Sequence, residues 1–572
     1  MNNVFPIYTV EAECQDCYKC LRQCPVKAIK IEQGRAAVIP DACIACGHCV
    51  EVCPVGAKRI RDDLGRANYL LSRKKKTFVS LAPSYAGAFP GVPAATLIAA
   101  IKALGFTGVS ETALGAELVN KAVTDDLRSG TRKINLSTAC PVAVDYICKY
   151  LPEMADALTP TLSPMLAHGK WLREVYGEEI GVVFVGPCIA KKCEADAYSH
   201  LIDVALTFDD LKLWLEKENR FPFSDDEAPD ETFVPHTARE GALYPMVGGM
   251  TETLRIGLKH HPVRLLSVAG LRNIRYALEG IKTAPPPEPV FLELLACDGG
   301  CLGGPCVAKK TALNNELEIR RRIVLPEKPA AVAALNLQMP IHRAAVETEP
   351  VDPARIVEAL ARIGKHGLED ELNCSGCGYE TCRAFALAMV EGRAEPSMCV
   401  SNLRKKAQRK ANALLRCMPS GVVIVDSSLH VVECNENLAQ MFGGNLLLSY
   451  QARPGLEGVA LHNVVPFPEI FQRVLDSGDE YHRDMIRIGD RLINLNVFTI
   501  EPYEIVGGIL LDVTSTELRR EHIAARAHEV IDKNLATVQE IAFKLGEHMA
   551  DTEILLRSIA EDYATDEEPE KE

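Results

Sequence analysis

Val290-Phe-Leu-Glu-Leu-Leu-Ala-Cys297-Asp-Gly-Gly-Cys301-Leu-Gly-Gly304 decides how this chain is read. A strand-like apolar run, Val290–Leu295, leads into two cysteines set among paired glycines. The pairs Gly299-Gly300 and Gly303-Gly304 let the backbone fold tightly around Cys301. Comparable runs stand at Thr77–Leu81, Gly181–Val185 and Val263–Val268, alternating with helical stretches such as Ala94–Leu104 and Pro164–Tyr176. Strands separated by helical patterns predict an α/β domain. Cys188, in Gly186-Pro-Cys188-Ile-Ala-Lys191-Lys-Cys-Glu194, follows its run as closely as Cys297 follows its own. Open α/β sheets hold ligands just beyond the carboxyl ends of strands, so these positions suit a buried cofactor. Ser137-Thr-Ala-Cys140-Pro141 adds a third stretch of the same character.

The chain has 572 residues, enough for three to five domains, and an apolar content of 47% that is ample for packed cores. Its net charge of −14 argues against nucleic acid and against an anionic membrane surface as partners. Met1–Val10 shows no secretory signal, and Phe78–Phe106, the most apolar region, is broken by Pro83, Pro90, Pro93 and Lys102, so no membrane span is expected. Tight Cys-x2-Cys runs in such a chain read as metal sites rather than disulfides. Twelve of the 21 cysteines lie in such compact patterns and four more in the stretches above, which predicts a cytoplasmic, iron-rich protein.

Residues 1–62 carry Cys14, Cys17, Cys20 and Cys24-Pro25, then Cys43, Cys46, Cys49 and Cys53-Pro54. This doubled run is the bacterial ferredoxin pattern, in which each fourth cysteine serves the other run's cluster. One [4Fe–4S] cubane should take Cys14, Cys17, Cys20 and Cys53, and the other Cys43, Cys46, Cys49 and Cys24. Residues 350–415 hold Cys374, Cys377, Cys382 and Cys399 in a C-x2-C-x4-C-x16-C spacing that resembles a small 4Fe–4S domain. Four cysteines also suit structural zinc, which stays open there.

Residues 416–516 begin with Met418-Pro-Ser-Gly-Val-Val-Ile-Val-Asp426, continue to Val431-Val-Glu-Cys-Asn435 and end at Gly507-Gly-Ile-Leu-Leu-Asp-Val-Thr514. The entry and exit resemble a PAS domain, and Cys417 and Cys434 are expected to be packed thiols. In the tail, residues 517–572, a seam at Ile531, Leu535, Val538, Ala542, Leu545, Met549, Thr552, Leu556 and Ile559 predicts a coiled coil and a homodimer. An amphipathic helix lying on its own PAS domain has the same pattern. Asp225–Glu231 reads as a surface loop.

The three cysteine stretches resemble the signature motifs of FeFe-hydrogenases, over about residues 1–315. The resemblance implies an H-cluster in residues 63–349: a [4Fe–4S] cubane on Cys140, Cys188, Cys297 and Cys301, with Cys301 bridging to a two-iron subsite that carries CO, CN and a dithiolate. It implies hydrogen bonds to the cyanides from Lys191 and from Pro83-Ser84. It also suggests that Ser163-Pro-Met and Val247–Arg255 line the cavity. Cys148, Cys193 and Cys306 occupy no ligand position. Lys191-Lys192 has a plainer reading as a solvated pair, and the four cysteines could hold a cubane alone.

Two departures bear on activity. The relay cysteine usual before the first ligand is Ala139, and Val123 stands at the relay glutamate. Gly186 replaces a bulky methionine. Losing two proton carriers removes a general acid–base contribution of about 10²–10⁴-fold. With the PAS-like region, the pattern resembles the sensory FeFe-hydrogenases. The expected fold is multidomain α/β and α+β: ferredoxin, H-cluster, 4Fe–4S, PAS and helical segments. The expected function is slow H2 chemistry, with H2 and protons as reactants and a ferredoxin as redox partner. Output would pass to a kinase or phosphatase outside this chain. The alternatives are a working hydrogenase with another proton route and a non-catalytic iron–sulfur scaffold.

Overall fold

The structure, a computed structural model, describes residues 4–130, 132–221, 223, 230–307, 312–323, 335–346, 350–489, 491–514, 530–539 and 541. The chain divides into two compact units, Met1–Met398 and Cys399–Glu572.

The first unit opens with four short strands: β1 (Ile7–Thr9), β2 (Ile29–Glu32), β3 (Arg35–Val38) and β4 (Lys58–Ile60). β1 pairs with β4 and β2 with β3, both antiparallel. The apolar core here is little more than Ile7, Leu21, Ala28, Ile29, Ile31 and Ile44. A domain this small rarely holds itself together on so few side chains without a metal or a crosslink.

Seven strands follow: β5 (Thr77–Leu81), β6 (Gly108–Glu111), β7 (Ile134–Leu136), β8 (Gly181–Gly186), β9 (Val204–Thr207), β10 (Arg264–Ala269) and β11 (Val290–Leu295). They form two sheets, in the orders β6-β5-β8-β9 and β10-β11-β7. Every pairing is parallel. β5, β8 and β11 are buried at every position. Continuous apolar runs of this kind are what a sheet covered on both faces requires. Pro164–Tyr176 is helical as expected, and it crosses the helix Ala113–Ser129 in backbone contact. That crossing needs Gly115, where an added Cβ would lie 2.1 Å from Pro164 O.

Buried polar groups pin this frame. His168, with no exposed surface, joins Ser80 Oγ at 2.7 Å and Ser110 Oγ at 2.9 Å, so both ring nitrogens are satisfied. Lys192 Nζ donates to Asp63 Oδ2 at 3.0 Å, Asp210 Oδ2 at 2.8 Å and Arg61 O at 2.9 Å. The plainer reading of Lys191-Lys192 as a solvated pair is therefore wrong, since both are buried.

In the second unit the exposed helix Val400–Cys417 leads into β12 (Gly421–Asp426), β13 (Val431–Cys434), β14 (Tyr481–Ile488), β15 (Arg491–Glu501) and β16 (Ile505–Asp512). These make one antiparallel sheet in the order β13-β12-β16-β15-β14. Asn435 ties its entry together: Oδ1 accepts from Val422 N and Leu438 N, and Nδ2 donates to Ser420 O. Cys434 is buried as expected, but Cys417 is exposed, because it ends a helix whose surface is mostly in solvent.

Residues 530–539 are helical, and Val538 packs on Val422, Phe498 and Ile509 of the same unit. The rest of the predicted seam, from Ala542 on, lies outside the described residues. So does most of Asp225–Glu231, although Glu231 pairs with Lys102 at 2.6 Å. Among the described residues no helix is long and apolar enough to cross a membrane.

Candidate metal centre

Four chain segments leave the carboxyl ends of parallel strands and meet. Ala82-Pro83-Ser84 follows β5, Cys188 follows β8, Cys140 follows β7, and Cys297 follows β11. Cys140 stands at the N-terminal boundary of the helix Pro141–Tyr150. Ser137 Oγ accepts from Leu294 N at 2.9 Å and so fixes the β7 exit against β11. Past Cys297 the chain turns back through Gly299 (φ 78°) and Gly300 (φ 72°), and Cys301 N donates to Pro245 O at 2.8 Å. Cys306 N reaches Pro187 O at 3.3 Å, which holds the Cys301 loop against the Cys188 loop.

The sulfurs act on one another. Burial pushes Cys188 up to about 11, the Cys140 thiolate adds to this, and Lys191 opposes it. Burial also raises Cys297 and Cys301, followed by the charges of their neighbours: Cys188, Cys140 and Cys301 for Cys297, and Cys140 and Cys188 for Cys301. Buried thiols of this kind stay protonated unless a cation holds them as thiolates, which iron does.

A second observation points to a larger group. Ser84 is 1% exposed, and its Oγ has no hydrogen-bond partner among the described residues. Such an orphan is costly unless a ligand meets it. The cysteine set and Ser84 thus fit an H-cluster. Lys191 fits less exclusively, because its Nζ already has Glu194 Oε2 at 2.5 Å and Ser163 Oγ at 3.0 Å. Its burial does not by itself demand an anionic cofactor.

Among the ferredoxin-like cysteines, Cys17 and Cys53 act on Cys20, Cys24 acts on Cys43, Cys46 and Cys49, and Cys20 also acts on Cys49. Cys14 lies on the same loop as Cys17. Burial raises Cys20 and Cys43 to about 11 and Cys49 to about 12. Lys58, itself 3% exposed, opposes this at both Cys20 and Cys49. The second run adjoins the strand-end site. Cys46 contributes to the rise of Cys297, and a Cβ on Gly47 would meet Ile189 and Pro305 within 2.9 Å. Lys149 and Tyr150, at the far end of the helix that begins after Cys140, donate to Cys43 O (2.7 Å) and Ala42 O (2.5 Å).

Cys374 and Cys377 lie on one loop of the first unit and Cys382 opens the helix Cys382–Val390 that ends it, with Cys374 exposed. Cys399 is buried and is the residue at which the second unit begins.

At the expected relay positions, Val123 is fully buried and Ala139 packs against the main core. The volume beside Gly186 is taken by Phe184, whose Cζ would lie 2.5 Å from an added Cβ. Sequence reasoning passed over Glu293, a lone acid inside the apolar run of β11 and 1% exposed. Burial lifts it to about 7, against hydrogen bonds from Ser267 and Met250 N. Its Oε2 accepts from Ser267 Oγ at 2.8 Å, and Ser267 Oγ meets Thr251 Oγ1 at 3.0 Å. The signal was available, because an acid in a fully buried strand needs a reason.

Residues 75–305 match the family model described as iron only hydrogenase large subunit, C-terminal domain. Residues 6–54 match a 4Fe-4S dicluster domain, and 370–401 an Fe-S cluster family. The NADP-reducing hydrogenase subunit HndD of Solidesulfovibrio fructosivorans is 25% identical over 36% of this chain. The chain spans 44% of that relative's length. A variant of the FeFe-hydrogenase HydA1 from Chlamydomonas reinhardtii aligns at TM-score 0.38 and 16% identity, over 50% of this chain and 100% of its own. The PAS domain of the histidine kinase ThkA aligns at TM-score 0.14 and 16% identity, over 16% of this chain and 98% of its own. From β5 to the Cys301 loop, then, this chain carries the C-terminal domain of the iron-only hydrogenase family, preceded by a 4Fe–4S dicluster domain.

Proposed function

We propose that this chain is a sensory hydrogenase, which reacts with H2 slowly and reports H2 or redox state through its second unit. Cys140, Cys188, Cys297 and Cys301 would hold the cubane of an H-cluster, with Cys301 bridging to the two-iron subsite. When bound, that cofactor supplies reversible splitting of H2 into two protons and two electrons. Ser84 Oγ would donate to a cyanide, and Lys191 Nζ to the other while keeping Glu194. Three further [4Fe–4S] clusters would sit on Cys14/Cys17/Cys20/Cys53, on Cys24/Cys43/Cys46/Cys49 and on Cys374/Cys377/Cys382/Cys399.

The observation that carries the reading is the pair Ala139 and Val123, a methyl group and an isopropyl group where a relay needs proton carriers. Neither side chain can hold a proton. The test compares H2 evolution by the native chain, Ala139→Cys, Val123→Glu and the double variant. We expect a modest rise for Ala139→Cys and the largest rise for the double variant, because the two positions act in series. Equal rates in all four would overturn the slow-sensor reading.

One observation favours a working enzyme with another proton route. Buried Glu293, half-buried Ser267 and buried Thr251 form a hydrogen-bonded chain. A carboxyl raised to about 7 exchanges protons readily at neutral pH. Fast native turnover that collapses in Glu293→Gln would select this reading. Absence of CO and CN infrared bands after loading would leave only the scaffold.

For output, the sheet order β13-β12-β16-β15-β14 and the Asn435 turn support a PAS assignment. The heptad positions from Ile531 to Ile559 support a homodimer. The signal would pass to a kinase or phosphatase, and a ferredoxin would exchange electrons, in the cytoplasm.

A further inference from the structure

We propose that the Cys374–Cys382 loop is an internal electron exit of the dicluster domain, docked on it so that electrons divide between this loop and an outside partner. This rests on the iron–sulfur reading of the cysteines and goes beyond it in assigning the route.

The contact is specific. Gly378, next to Cys377, has φ +92°, and a Cβ there would lie 2.9 Å from both Cα and Cγ of Arg22. Arg22 belongs to the helix Lys19–Gln23, which joins Cys20 of one ferredoxin set to Cys24 of the other. Its Nη2 donates to Cys17 O at 2.7 Å. Lys27 Nζ donates to Arg22 O at 2.8 Å and lies within the fields of both Cys24 and Cys377. Tyr379, 5% exposed, is likewise acted on by Cys377 and Cys24. Two further bonds, Ile31 N to Arg393 O at 3.0 Å and Gly34 N to Glu395 Oε1 at 3.4 Å, hold the following segment on β2 and its turn.

The dicluster domain touches both places: Gly47, beside Cys46, packs against Ile189 and Pro305 next to the strand-end cysteines, and Arg22, between Cys20 and Cys24, packs against Gly378 beside Cys377. Cys14, Cys17 and Cys53 are half-exposed and remain the face for an outside redox protein. In each transfer one electron leaves the reduced cubane at Cys24, which becomes oxidised, and enters the cubane at Cys377, which becomes reduced. No proton moves, and one H2 supplies two such electrons.

The test uses the full chain with its clusters. After dithionite reduction, electron paramagnetic resonance should show ferredoxin-cubane lines broadened by a neighbouring spin. In Cys374→Ser/Cys382→Ser the broadening should fall to what the two ferredoxin cubanes cause in each other, while the eight ferredoxin cysteines keep their iron. Lines identical in the two proteins would overturn the proposal, as would an iron count showing no cluster at the loop. In a second arm, Gly378→Val should slow arrival of electrons from H2 at the loop cluster, with the Cys14–Cys53 cluster reduced at the native rate. Equal rates at both clusters would also overturn it. Broadening after dithionite with no reduction by H2 would sustain the docking and sink the hydrogenase reading instead.

Discussion

The strand-end cysteines and the Cys374–Cys382 loop are read as holding the same kind of cubane, yet the chain builds the two places in opposite ways. Cys140, Cys188 and Cys297 leave strands that are buried almost throughout, and the turns between them are tied by backbone bonds such as Cys301 N to Pro245 O. The loop has Cys374 exposed and two non-glycine residues, Asn373 and Ser375, in the left-handed region at φ 46° and 56°. Its main internal tie is Cys382 N to Asn373 Oδ1 at 2.8 Å. Left-handed non-glycine residues persist only where something holds them. The first site is framed by buried strands, whereas the second rests on a short loop with an exposed cysteine.

The largest expected effect breaks this contrast at the ligands themselves. Cys301→Ser should abolish the CO and CN infrared bands completely and leave the sheets folded, because β8 and β11 do not depend on the sulfur. Cys382→Ser should leave those bands intact and remove hydrogen-exchange protection around residues 374–390. Retained bands in the first variant would refute the bridging role. Retained protection in the second would mean that the loop is as pre-formed as the strand ends.

The two sites were also unequally legible. The runs before Cys188 and Cys297 announced their strands, and the cysteine spacing pointed to the iron–sulfur families that match these residues. What escaped is held by partners distant in the chain. Lys192 finds Asp63 129 residues away. Ser80 and Ser110 meet on His168 at separations of 88 and 58 residues. Cys417 was misjudged because Leu415 and Met418 on either side of it take the packed positions and leave the thiol exposed. Glu293 alone carried a visible clue.

A smaller effect comes from breaking the frames rather than the ligands. Lys192→Met removes one of three cations around the fully buried Asp63 carboxylate, which keeps Arg61 and Arg66 at 3.0 Å, and losing the charged hydrogen bonds of Lys192 should cost about 1–3 kcal/mol. Arg383, over half exposed, pairs with Glu371 beside the loop at 2.9 Å, and Arg383→Ala should cost below ~1 kcal/mol. Denaturant midpoints of the apo chain measure both. Similar losses would mean that the strand-end frame is no more rigid than the loop.

The smallest expected effect concerns pH. Burial holds His168 down to about 3, from an ordinary 6.5, so the folded chain keeps it neutral between Ser80 and Ser110. The unfolded chain binds a proton below about 6.5 that the folded chain refuses. The stability owed to the neutral ring is therefore complete above that pH and is lost as pH falls from 6.5 toward 3. His168→Phe should cost about 1–3 kcal/mol at neutral pH by leaving two buried hydroxyls without their partner. It should also remove one proton's worth of slope from stability against pH in that window. If His168→Phe keeps the native slope, the acid lability of the strand-end frame comes from its carboxylates, and His168 serves there only as a packed ring.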